Sequence, residues 1–104
     1  MSLQTYQKQI DDSVQNLATP YWQPLSQLAR LSEEVGEVAR ILNAHYGDKP
    51  KKPTEAHEDL ADELADVIYT VLCLANSQSI ELEEPMQRAI SKLTIRDKDR
   101  FAKK

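Results

Sequence analysis

Glycine occurs only twice in these 104 residues, and cysteine, tryptophan and phenylalanine once each. So little glycine, with few β-branched runs, argues against a sheet protein built on tight hairpins and points to a helix-rich chain. The lone Cys73 leaves no internal disulfide and fits a reducing cytosol. Long apolar runs are missing as well. The longest uncharged one, "VIYTVLCLAN" at 67–76, is about half of the ~20 residues needed to cross a bilayer. No basic-then-apolar leader opens the sequence, so a cytoplasmic location is expected, with no membrane partner. A basic excess is also absent. Thirteen Lys and Arg against seventeen Asp and Glu leave a net charge of −4, which excludes the electrostatics of bulk binding to a nucleic-acid polymer.

What is present suits one globular domain over 1–104, with 40% hydrophobic and 29% charged residues. Apolar spacings of three and four predict four helices, over about 3–18, 24–46, 55–77 and 82–101, and no strand. Pro24 fits a first helical turn and Gly47 a helix stop. In the second helix Leu28, Leu31, Val35, Val38 and Leu42 make a regular seam; in the third, Leu60, Leu64, Val67, Val71 and Leu74 do the same. Such seams pack helices side by side, so an all-α four-helix bundle is expected. Ile68, Leu72 and Ala75 extend the apolar surface of the third helix around most of its circumference. Four helices in a chain this short supply limited cover for it. A self-partner, giving a homodimer or homotetramer, is therefore expected to complete the bundle.

Against that background "RLSEEVGEVAR" at 30–40 crowds three glutamates into five positions. Like charges one turn apart weaken a helix by a few tenths of a kcal/mol each, roughly. At about 100° per residue, Glu34 lies beside the seam with Glu37 on the same flank, whereas Glu33 points away. In "DELAD" at 62–66, Glu63 and Asp66 flank the third helix's seam in the same way. If these helices are antiparallel neighbours, Glu34, Glu37, Glu63 and Asp66 converge. An oxygen-only cluster of this kind suits a hard divalent cation such as Mg²⁺, with Mn²⁺ a possible substitute. The spacing alone fits a solvated acidic surface equally well. A di-iron carboxylate bundle is disfavoured, since neither His45 nor His57 has a glutamate three positions before it.

The paired motifs "EEVGE" at 33–37 and "ELAD" at 63–66 resemble the EExxE…ExxD signature of the all-α nucleoside triphosphate pyrophosphohydrolases, the MazG-like superfamily. The likeness extends through "YWQPLSQLARLSEEVGEVAR", "DELADVIYTVLCLANSQSIELEE" and the basic "KLTIRDKDRF", most of residues 20–101. It implies hydrolysis of a (deoxy)nucleoside triphosphate to a monophosphate and pyrophosphate. It also implies Mg²⁺ held by Glu34, Glu37, Glu63 and Asp66, with Glu33 orienting water. A carboxylate base is needed because Mg²⁺ lowers the pKa of water only modestly, and Glu37 and Glu33 are both candidates.

Other residues divide between two readings each. Lys92, Arg96 and Arg100 recur every fourth residue and could grip the β and γ phosphates, or form a solvated face paired with Asp97 and Asp99. Trp22 could stack on the base or cap the bundle end. Asn76 could read a base or sugar edge. Lys49, Lys51 and Lys52 are expected in a solvated loop, Tyr69 and Cys73 in the core, and His45 and His57 in capping or surface roles. The rival to an enzyme is a non-catalytic helical module that dimerises through the same seams. It predicts loss of at least one of the four acids, and all four are present.

Overall fold

The computed structural model describes residues 2–48, 60–102 and 104. Among them are four helices and no strand: α1 (Leu3–Val14), α2 (Pro24–Tyr46), α3 (Leu60–Ser77) and α4 (Glu83–Arg96). The all-α expectation holds.

Local chemistry sets the boundaries. Ser2 caps α1, its hydroxyl accepting from the Thr5 amide at 3.1 Å. The apolar spacing carried the first helix on to residue 18, but α1 stops at Val14. The chain then makes a single tight turn, Leu17 N–H to Val14 O at 3.0 Å, on the approach to Pro20, whose ring disfavours helical backbone just before it. α2 has the bounds expected for it. Pro24 sits in the first turn, and at Gly47 a Cβ would lie 2.8 Å from the Asn43 carbonyl oxygen. The expected start of the third helix at 55 lies outside the described residues, as do His57, Lys49, Lys51 and Lys52. α4 ends at Arg96, five residues early. Asp97 and Asp99 would place negative charge at the negative end of the helix dipole, and Asp97 caps instead.

α3 ends in a Schellman turn. The Ile80 N–H bonds the Ala75 carbonyl at 2.9 Å and the Ser79 N–H bonds that of Asn76 at 3.1 Å. Ser79 takes the left-handed conformation, φ 57°, that glycine usually supplies there. Ser79→Gly is therefore expected to stabilise the protein by up to about 1 kcal/mol, seen as a higher melting temperature.

α3 is the central element, with α2 and α1 packed on it. The α2–α3 pair is antiparallel: buried Gln27, near the start of α2, donates to the Ser77 hydroxyl at the end of α3 at 3.0 Å. Buried Gln7 ties three segments together. Its Nε2 donates to Asn76 Oδ1 at 2.9 Å and to the Ile80 carbonyl at 2.8 Å, and its Oε1 accepts from the Leu82 amide at 2.9 Å. The core is small: Ile10, Leu72 and Cys73, with Leu3, Tyr21 and Leu82 against them. α4 has no buried residue. Leu28, Val35, Leu64, Ile68, Met86, Ile90 and Leu93 are exposed large hydrophobics. The radius of gyration is 17.4 Å, where a compact chain of this length has about 13 Å.

Candidate active site

Glu34 projects from the middle of α2, and Glu63 and Asp66 from the first two turns of α3. The antiparallel packing brings them together, with one carboxylate oxygen of each within 4.8 Å of the other two. Glu34 and Glu63 are half-buried and Asp66 is exposed, so the group opens to solvent on one side. Glu37 is not in it. Its carboxylate accepts from the Arg40 guanidinium at 2.6 Å, one turn further along α2. Glu33 is exposed and outside the group, in keeping with its outward helical phase.

The donor set fits a hard divalent cation. The group is carboxylate only, with no imidazole or thiolate in it. Three carboxylate oxygens this close, open to solvent on one side, would take such an ion together with its remaining waters.

One turn towards the start of α2, Arg30 stands against two aromatic rings. Its Cζ is 5.6 Å from the Trp22 ring centroid and 5.6 Å from that of Tyr69. Arg30 precedes Glu34 by four residues and Tyr69 follows Asp66 by three, so this layer sits beside the carboxylates at the Trp22 end. Behind it is a small cavity of about 70 Å³ that Gln27, Thr70 and Cys73 also line. The Cys73 thiol is buried and burial pushes its pKa up, which leaves it a poor nucleophile at neutral pH.

The sequence model of the MazG nucleotide pyrophosphohydrolase domain matches residues 23–101, a span that includes every residue of the carboxylate group. The chain belongs to the MazG family. It is 42% identical over 103 residues to the uncharacterised YpjD of Bacillus subtilis (strain 168), which covers 99% of this chain and 93% of YpjD. A crystal structure of YpjD superposes with a TM-score of 0.77 at 40% identity, covering 88% of this chain and 94% of that one. The Bacillus-conserved MazG protein, a nucleotide pyrophosphohydrolase, gives 0.77 at 34% identity, covering 95% and 96%. This MazG chain is thus a hydrolase acting on nucleotides.

The remaining anticipated site residues of the MazG domain are scattered. Trp22 is exposed at the bundle end, in the Arg30 layer. Asn76 is committed internally, accepting from Gln7 Nε2 and donating to the Gln7 carbonyl at 2.9 Å and to the Tyr21 hydroxyl at 3.1 Å. Within one chain, Lys92, Arg96 and Arg100 on and after α4 are not brought to the carboxylates. Arg96 and Arg100 reach Asp97 at 3.3 and 3.5 Å. Sequence reasoning missed Arg30 and Arg40 altogether. The available signal for both was helical phase, since Arg30 is four residues before Glu34 and Arg40 three after Glu37.

The polar cluster behind Asn76 carries a pH signature. The Tyr21 hydroxyl donates to Asp11 at 2.7 Å. Burial, and then that hydrogen bond, push its pKa up to about 12. The fold favours the neutral phenol, so the stability it contributes is full below the unfolded pKa near 10 and drains away as pH rises towards 12. Tyr21→Phe is expected to cost about 1 kcal/mol at neutral pH and to flatten the loss of stability between pH 10 and 12, read by denaturant melts across that range.

Proposed function

We propose that this MazG protein hydrolyses (deoxy)nucleoside triphosphates between the α and β phosphates, in a reaction that requires Mg²⁺ and tolerates Mn²⁺. The observation that carries the reading is the meeting of Glu34, Glu63 and Asp66 from two helices within 4.8 Å, in a chain of this family. These three would hold the cation. Glu37 stands on the same flank of α2 and would complete the set on leaving Arg40. When bound, the cation supplies positive charge that offsets the carboxylates and stabilises the charge developing on the phosphates.

The chain's own residues do the rest. The carboxylates fix where the triphosphate lies, which is the larger part of the rate in phosphoryl transfer. Glu33 or Glu37 orients a water in line with the bond to be broken and takes its proton. The oxygen–phosphorus bond forms at the α-phosphorus, the bond to the bridging oxygen breaks, and pyrophosphate departs with the electron pair. Trp22 offers an exposed face for stacking on the base. Lys92, Arg96 and Arg100 would meet the β and γ phosphates only from another subunit or after a shift of α4.

Self-association into a dimer or a pair of dimers belongs to the same proposal. The extended chain, the small core and the exposed apolar residues of α2, α3 and α4 support it. A broad preference that includes non-standard or damaged nucleotides fits a compact chain with one tryptophan and one phenylalanine. The test is a panel of triphosphates with separate detection of pyrophosphate and phosphate, with and without Mg²⁺. Metal-dependent pyrophosphate release is expected; release of orthophosphate alone, or turnover indifferent to metal, would overturn the reading.

A further inference from the structure

Arg30 is half-buried, yet among the described residues it has no hydrogen bond and no ion pair. A partly desolvated guanidinium without a carboxylate is unusual, because a withdrawn charge needs compensation. Here two aromatic faces provide it, Trp22 and Tyr69, each 5.6 Å from Cζ. Contact with aromatic rings uses the cation's charge and gives its N–H donors no acceptor. The charge has been positioned and its hydrogen-bonding capacity kept in reserve.

Its place on the chain says for what. The order along the α2–α3 pair is Trp22, then Arg30 and Tyr69, then the carboxylates one turn on. A nucleotide laid with its metal-binding phosphates at Glu34, Glu63 and Asp66 and its base at Trp22 has its nucleoside-side phosphate beside Arg30. Charge points the same way. Arg30 is a cation standing one turn from the carboxylates, where an anionic ligand held against them needs positive charge.

Resting on the proposed reaction, we propose that Arg30 binds the α-phosphate, the phosphate that stays on the nucleoside, while Trp22 and Tyr69 hold the guanidinium in place. The guanidinium fork suits two oxygens of one phosphate, which an ammonium cannot match.

The first arm of the test needs no turnover. Trp22 is the only tryptophan, so intrinsic fluorescence reports on this layer. Metal-free protein is titrated with each of the common nucleoside monophosphates, and with the same nucleosides lacking phosphate. The wild type is expected to bind the monophosphate at least about tenfold more tightly than the nucleoside. Arg30→Gln should close that gap without changing nucleoside affinity, and should raise KM for the triphosphate by about 10–100-fold, more than it lowers kcat. Arg30→Lys, which keeps the charge, should retain part of the gap. An unchanged gap in either variant would overturn the assignment. So would equal weakening of both ligands, which makes Arg30 a mere prop for Trp22. Wild-type protein that hydrolyses no triphosphate would instead sink the reaction itself, and the metal-free gap would still judge Arg30.

Discussion

Asp66→Asn is expected to lower pyrophosphate release by about 10²–10³-fold while leaving the melting temperature of the metal-free protein unchanged or slightly raised. Asparagine matches the shape of aspartate but lacks its charge and one of its acceptors. Asp66 is exposed, and among the described residues its carboxylate makes no hydrogen bond or ion pair, so the substitution breaks no contact. Its closest relations are repulsive, with Glu34 and Glu63 inside 4.8 Å. Removing one of three like charges relieves that repulsion in the absence of a cation. The same substitution removes a third of the charge available to hold one. Added Mg²⁺ should therefore raise the melting temperature of the wild type and fail to do so in the variant. Glu37→Gln provides the contrast: the fold should survive and activity should be lost, but the repulsion relieved is smaller, because Arg40 already neutralises Glu37. Wild-type turnover by Asp66→Asn would mean that the reaction takes place elsewhere.

The second large effect is expected at Ile68. This residue is 54% exposed on the outer side of α3 and, with Leu3, Val71, Met86 and Ala89, lines an apolar groove of about 370 Å³ between α3 and the start of α4. If a second copy covers this face, Ile68→Glu places an unpaired charge at the interface, a penalty of about 3–5 kcal/mol per contact. Sedimentation equilibrium should then show monomers where the wild type is a dimer or tetramer. The melting temperature should also lose its dependence on protein concentration. Activity should fall with the assembly, since α3 carries Glu63 and Asp66 on another of its faces. A wild type that sediments as a fully active monomer would remove the premise.

The parts of this fold that could be read in advance are those governed by local chemistry. Pro24 and Gly47 bracket α2 because one fixes φ and the other avoids a clash with the Asn43 carbonyl, and neither effect depends on distant residues. The ends of α1 and α4 were overextended because apolar periodicity continues through Leu17 and Phe101 after the backbone has turned away. Both side chains are exposed, so the spacing recorded no burial. Helical phase predicted which acids share a flank. It could not predict that an ion pair three residues away would draw Glu37 aside, or that Arg30 would lie against a tryptophan from the preceding turn and a tyrosine some forty positions later. Gln7, Gln27 and Asn76 were similarly opaque. An amide's partners are scattered along the chain, and nothing in its neighbours distinguishes a buried glutamine from an exposed one.

Burial of the one thiol gives the chain a built-in clock. Cys73 sits at 8% exposure under α1, beside Ile10 and Leu72. Its thiol lines the small cavity behind the Arg30 layer, so an alkylating reagent in solution meets it when the packing around that cavity loosens. The speed of its modification under native conditions therefore times that loosening at a single atom, one layer from carboxylates that carry no thiol and stay chemically silent.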